Sequence, residues 1–408
     1  MKKNNVSILV LFVLCPCFGC ASEPFYEAEL LFPPEAWHNH GSSLVECPDG
    51  NLLACWFHGS GERRADDVLI QGARKAKNSK HWTERFVMAD TPGYPDCNPV
   101  LYVDPQGKLW FFWITVLANL WETSLLKYRI STDFQQSAGP PQWDWQDVLH
   151  ITPVNFYEDL KDEWEVFKKR YPNLIPKPDK PFSDLKADEF TDYYMRNKAE
   201  DKLQQRLGWM TRIHPLWLPS GKLVLPLYTD AFSISLMAIT ADGGNTWQTS
   251  RPLVGFGNIQ PSLVRKKDGT LVAFMRENGP RDRIRISFSR DEGLTWGPVG
   301  ETEFPNPGSS VEAIVLANGN WLLMYNDTTE GRHSLNLSLS NDEGQTWKWH
   351  RHLEKVEPGQ GSFSYPSLIQ SRDGLIHATY SHHLPGDQKS IKHAQFNEAW
   401  IRMGDPPR

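Results

Sequence analysis

Six times along the chain, a short apolar run leads into a polar turn that closes on glycine, and a second apolar run follows. The turns are Asp49-Gly50, Gln106-Gly107, Ser220-Gly221, Asp268-Gly269, Asn318-Gly319 and Asp373-Gly374. The flanking text runs, for example, from Val100-Leu101 to Leu109-Trp110 and from Ser367-Leu368 to Leu375-Ile376. Glycine supplies the positive φ that such hairpin turns require. A four-stranded unit recurring about every 40–50 residues is a propeller blade. The pattern therefore predicts an all-β fold, a six-bladed β-propeller.

One interval, from Gly107 to Gly221, is twice as long as the rest, and an insertion over 153–208 accounts for it. Leu160, Trp164 and Phe167, and later Tyr194 and Leu203, fall at helical spacing. Pro172, Pro176, Pro178 and Pro181 interrupt them. Two helical stretches between blades two and three are predicted, either as a rim over a site or as decoration. The last repeat lacks a fourth strand. The segment Phe25 to Phe32, ahead of blade one, could supply it and leave no open sheet edge.

A second motif occurs three times: Thr240-Ala241-Asp242-Gly243-Gly244-Asn245-Thr246-Trp247, Ser289-Arg290-Asp291-Glu292-Gly293-Leu294-Thr295-Trp296 and Ser340-Asn341-Asp342-Glu343-Gly344-Gln345-Thr346-Trp347. The aspartates are 49 and 51 positions apart. In a hairpin turn, Asp accepts bonds from backbone N–H groups, Gly takes a positive φ and Trp packs beside the turn.

Composition narrows the function. The 408 residues include 17 Trp, enough for a large core, and a net charge of −6 with mixed signs gives no basic face for nucleic acid. The first 20 residues read as a signal segment: Lys2 and Lys3, an apolar run from Val6 to Leu14, then Cys17-Phe18-Gly19-Cys20. This is similar to a lipoprotein leader with Cys20 as the lipidated residue, and an ordinary cleaved signal is the alternative. The propeller would then occupy 21–408, exported to the periplasm or outer membrane and touching membrane only through that anchor. Of the six cysteines, Cys47, Cys55 and Cys97 lie outside the leader. Cys47 and Cys55 could pair across a turn or be small buried residues. No spacing of Cys and His predicts a metal site, and no cofactor is expected.

The three S-x-D-x-G-x-T-W boxes on a six-blade period resemble the sialidase superfamily over nearly all of the chain after the leader. The resemblance implies peripheral, structural boxes and a catalytic face elsewhere. It also implies a Tyr nucleophile, arginines that clamp a carboxylate and an Asp acid/base. The Tyr maps to Tyr365 in Phe363-Ser364-Tyr365-Pro366, and two clamp arginines map to Arg276 and Arg332. The acid/base maps to Asp66, with Asp67 as its alternative, in the loop His58 to Asp67 a few residues past Arg63. Two positions depart from the family pattern. His40 stands where the first clamp Arg belongs, and Gln260 stands where a Glu normally activates the Tyr; a Gln takes no proton. Residues just before the first strands should converge on one face: His40, Asn98, His214, Gln260, Glu312 and Tyr365, with Asp96 and Arg212 two places earlier. Glu312 is the expected replacement carboxylate for Tyr365. These residues together imply an exo-glycosidase acting on a terminal, acidic sugar of a glycan. A polysaccharide lyase or another glycosidase, and a non-catalytic glycan-binding propeller, are the alternatives.

Overall fold

The computed structural model describes residues 23–170, 172, 198–279 and 281–406. The leader with Cys20, and the part of the insertion holding Tyr194 and the prolines at 176, 178 and 181, lie outside the described residues. Among the described residues no helix is long and apolar enough to cross a membrane.

Six four-stranded antiparallel sheets form the blades. Their innermost strands are His38–Glu46, Asp96–Val103, Leu216–Trp217, Asn258–Arg265, Glu312–Val315 and Ser362–Gln370. Each glycine turn predicted above joins a first strand to a second. The second strand of blade two, Leu109–Val116, is buried at every position, whereas the outer strand Trp145–Val148 is largely exposed. Inner strands are covered on both faces by neighbouring blades, so they read as continuous apolar runs rather than as alternation.

The sixth sheet is completed by Tyr26–Leu30, which pairs with Gln388–Phe396 in the register Tyr26↔Phe396 to Leu30↔Lys392. Phe25 N–H donates to Asn397 Oδ1 at 3.1 Å, and Tyr26 stacks on Trp400 with ring centroids 4.4 Å apart. The N-terminal strand thus closes the ring.

In each box the aspartate gathers the turn. Asp291 Oδ1 accepts from Thr295 N at 2.9 Å and from Ser289 Oγ at 2.8 Å, with Gly293 at φ +90°. Trp247 and Trp347 pack edge-on against Trp110 and Phe274 of the preceding blades.

The insertion contributes a helix, Phe156–Arg170 (α1), after blade two. Phe156 packs on Phe232, and Trp164 and Phe167 pack on Phe256. Phe232 follows the second strand of blade three and Phe256 precedes the first strand of blade four, so α1 buttresses loops on one end of the propeller. Cys47, Cys55 and Cys97 are buried free thiols, which excludes the Cys47–Cys55 pairing.

Candidate active site

The first strands of blades one, two, four and six share a backbone device. Their register breaks between His40 and Ser43, Cys97 and Val100, Ile259 and Ser262, and Ser364 and Ser367. One residue in each break has positive φ: Gly41 (+63°), Asn98 (+50°), Gln260 (+54°) and Tyr365 (+57°). Bulges of this kind re-aim a side chain. Here they gather Asn98, Gln260 and Tyr365 at the axis, and the phenol of Tyr228 ties two of them together. Asn98 Nδ2 and Gln260 Nε2 donate to Tyr228 Oη at 3.0 and 3.1 Å.

In blade one the bulge position is Gly41, one residue beyond the His40 expected there. A Cβ at Gly41 would sit 2.7 Å from the Phe57 ring. A side chain at the bulge position itself is therefore excluded in this blade. His40 nonetheless reaches the site, its ring 4.1 Å from that of Tyr365. Ser381 Oγ accepts the Gly41 N–H at 3.1 Å and shares a hydrogen bond with His40 Nδ1 at 2.7 Å. Burial, together with His38, His383, Arg332 and Arg212, keeps His40 neutral well below its ordinary range.

Tyr365 is surrounded by guanidinium groups. Arg276 Nη1 donates to its phenolic oxygen at 2.8 Å, and the Arg212 and Arg332 guanidiniums lie 5.0 and 5.3 Å from its ring centroid. Arg212 also donates to the carbonyls of Tyr365 (2.6 Å), Pro366 (3.1 Å) and Ser42 (3.1 Å), pinning the strained bulge. Burial pushes the Tyr365 phenol up, but Arg276 and Arg332 more than offset it, so it is held below the usual tyrosine range. Tyr228 is pushed the other way, by burial and by Asp230 and Tyr365.

Glu312 and His214 do not join this group, contrary to expectation. Glu312 Oε1 bonds His214 Nδ1, and Oε2 accepts from Leu368 N at 2.7 Å; His214 Nε2 reaches Leu44 O at 2.9 Å. Leu368 and Leu44 lie three or four residues past Tyr365 and His40, roughly 10 Å along a strand. The pair spans the channel behind the site and lines a cavity of about 690 Å³ with Val103, Leu263 and Ile314 on that far side. Asp96 is also engaged elsewhere, taking bonds from Thr91, Trp113 and Thr115 in the core of blade two.

In the blade-one loop, Asp66 accepts from Asn119 Nδ2 at 2.8 Å and Asp67 from Ser60 N and Oγ at 3.1 and 2.8 Å, both at exposed positions. They hold the loop. Arg63 lies over the Trp121 ring at 5.0 Å. The carboxylate that faces inward is Glu62, 3.3 Å from His38 Nε2. Burial pushes it up, but His38, Arg63 and Arg332 together hold it below the usual range. Asp230, at the end of the second strand of blade three, is the other inward carboxyl, and burial pushes it up to about 6. Sequence reasoning missed Glu62, Asp230 and Tyr228. The available signal was the polar residue that ends each second strand, such as His58, Asp230, Arg276, Asp327 and His383. Among the described residues no three His, Cys, Asp or Glu are placed to hold a metal.

The fold and site define a six-bladed propeller with a Tyr–Arg pocket at its axis. The BNR repeat-like domain family matches residues 50–160 and 197–378, and the chain belongs to it. The chain is similar to the sialidase of Vibrio cholerae, 27% identical over 186 residues, which covers 37% of this chain and 23% of that protein. It is similar to the sialidase of Bacteroides fragilis, 24% identical over 188 residues, 43% of this chain and 34% of that one. The chain thus spans between about a quarter and about a third of the length of these relatives. Among solved structures, a Dyadobacter fermentans protein of unknown function superposes with a TM-score of 0.66 at 16% identity, covering 91% of this chain and 98% of that one. The NanB sialidase of Streptococcus pneumoniae gives 0.65 at 12% identity over 91% and 71%. The intramolecular trans-sialidase of Ruminococcus gnavus gives 0.63 at 13% over 91% and 96%. At these identities the structures speak for the fold alone.

Proposed function

We propose that this protein is an exo-glycosidase that removes a terminal anionic sugar from glycans, with Tyr365 as the nucleophile. The reading rests on one observation: a half-buried phenol bonded by Arg276 and flanked by Arg332 and Arg212. Arg276 on the hydroxyl and Arg332 beside the ring favour a phenolate without a neighbouring base, so electrostatics would take the place of the activating Glu missing at Gln260. Arg276 Nε is buried with no partner among the described residues, leaving a donor for a substrate carboxylate. The sialidase relatives support a glycosidic substrate. A histidine, His40, in place of the first clamp arginine removes one guanidinium from the clamp and argues against ordinary sialosides.

In the reaction, the Tyr365 oxygen attacks the anomeric carbon as the bond to the leaving oxygen breaks. A proton reaches that oxygen, and water then releases the sugar from Tyr365. A panel of aryl sialosides, uronides and neutral glycosides tests the reading, with Arg276→Ala and Arg332→Ala as controls. Cleavage of an anionic glycoside that both variants lose is expected. A neutral preference unchanged in both variants would refute the clamp.

A second reading, elimination at a uronic acid, is favoured by the 4.1 Å contact of His40 with Tyr365. It predicts an unsaturated, ultraviolet-absorbing product in place of a free sugar. Export and anchoring through Cys20 rest on the leader alone. Labelled palmitate incorporated by the parent and lost in Cys20→Ala is the expected result.

A further inference from the structure

The loop carboxylates Asp66 and Asp67 hold backbone and side-chain bonds at exposed positions, so neither serves as the pocket's acid. Asp230 has the placement they lack. It follows Leu223–Thr229, two residues past Tyr228. It thus lies beyond Tyr228 at the end of the second strand of blade three, the end of the propeller at which Arg276 closes the second strand of blade four. Its Oδ1 is buried and has no hydrogen-bond partner among the described residues. A buried polar atom left without a partner is costly, and a catalytic role is one of the reasons a fold retains it.

The turn that carries Asp230 is held firmly. Gly257 N donates to Ser233 O at 2.8 Å, and α1 packs over Phe232. The groups facing Asp230 are Arg276 beside it in blade four, Glu62 and Arg63 from blade one, Glu122 from blade two and Tyr228 on its own strand.

We infer that Asp230 is the proton donor and acceptor of this pocket, in partnership with Tyr365. The inference rests on the glycosidase reading above. In the first step the Asp230 carboxylic acid gives its proton to the glycosidic oxygen. The C–O electron pair departs with that oxygen, and a Tyr365 oxygen–carbon bond forms. In the second step the Asp230 carboxylate takes a proton from water. The hydroxide formed bonds the anomeric carbon, and the electron pair of the Tyr365 bond returns to the phenolate. The two inward carboxyls are biased apart, Glu62 toward its ionised form and Asp230 toward its protonated form. That bias leaves Asp230, and not Glu62, as the carboxyl suited to hold the proton given to the leaving oxygen.

The test pairs Asp230→Asn with Asp66→Asn on two glycosides of the same sugar, one with an alkyl and one with a nitrophenyl leaving group. Asp230→Asn should lose on the order of 10²–10⁴-fold in turnover of the alkyl glycoside, and far less with the nitrophenyl one, whose leaving group needs no proton. Asp66→Asn should match the parent on both. Equal retention of both activities in Asp230→Asn overturns the inference, as does a loss confined to Asp66→Asn. Urea denaturation gives a substrate-free readout. The folded carboxyl holds its proton more tightly than the unfolded one, so ionisation destabilises the fold. Asp230→Asn should therefore be more stable than the parent at pH 8, with the advantage fading as pH falls through about 6. No such pH-dependent gain overturns the inference. A parent inactive on every glycoside defeats the glycosidase reading itself, and Asp230 as a proton-holding site then stands or falls on the denaturation series.

Discussion

Arg276 Nη1 donates to the phenolic oxygen of Tyr365 at 2.8 Å, joining the second strand of blade four to the first strand of blade six across the axis. The bond is charge-assisted and part-buried, and it favours the phenolate over the phenol. Arg276→Ala should therefore push the Tyr365 pKa up, moving the acidic limb of the activity profile to higher pH. The lost contribution, about 1.5–3 kcal/mol, corresponds to roughly tenfold to a hundredfold in turnover. Ultraviolet difference titration of the phenolate, run beside kcat/KM against pH, checks both. An unmoved phenolate titration would show that Arg276 does not tune Tyr365.

The His214–Glu312 pair makes a separate prediction, about stability. Burial alone would lower the His214 value, but the charge and hydrogen bond of Glu312 raise it above the usual histidine range. A group raised in the folded state contributes its full stabilisation below its unfolded pKa and loses it as pH rises through the folded value. Stability should thus decline on the alkaline side of neutrality. Glu312→Ala should remove that slope and cost about 3–5 kcal/mol, as for a buried pair broken on one side. Urea midpoints at pH 6 and pH 9 measure it; equal midpoints in the parent would count against a charged pair.

Asp291 is a turn residue rather than a chemical one. Asp291→Ala should cost about 1 kcal/mol, the scale of a lost cap bond. The surviving folded protein should keep its full turnover. Thermal melting and specific activity on the same sample separate the two effects.

Ring closure is the remaining structural prediction. Tyr26→Leu should cost about 0.5–1.5 kcal/mol through the lost stack on Trp400. Truncation through Leu31 leaves Gln388–Phe396 as an open edge, which invites association between chains. Light scattering of the truncated protein should show assemblies absent from the parent.

The blades, their number, the closing strand and the boxes were legible in the chain because each is a local pattern. An apolar run, a turn residue and a fixed spacing are set by neighbours in sequence. Tyr365, Arg276 and Arg332 were reached through the family resemblance, and they do meet in space. The placing of Glu312 beside Tyr365 did not hold. Counting residues before a strand does not tell whether the strand bulges, and three or four residues along a first strand separate the pocket from the far cavity. The same limit hid Gly41, whose lack of a side chain follows from the Phe57 ring lying against it. Asp66 looked like the inward acid because it is an aspartate in the right loop, yet the turn of that loop aims Glu62 inward and spends Asp66 on Asn119. On its own, then, the sequence determines the architecture, since periodic burial and turn chemistry act over a few residues. Only the tertiary structure decides which polar groups face one another. That depends on backbone kinks of single residues and on the burial that sets each group's charge.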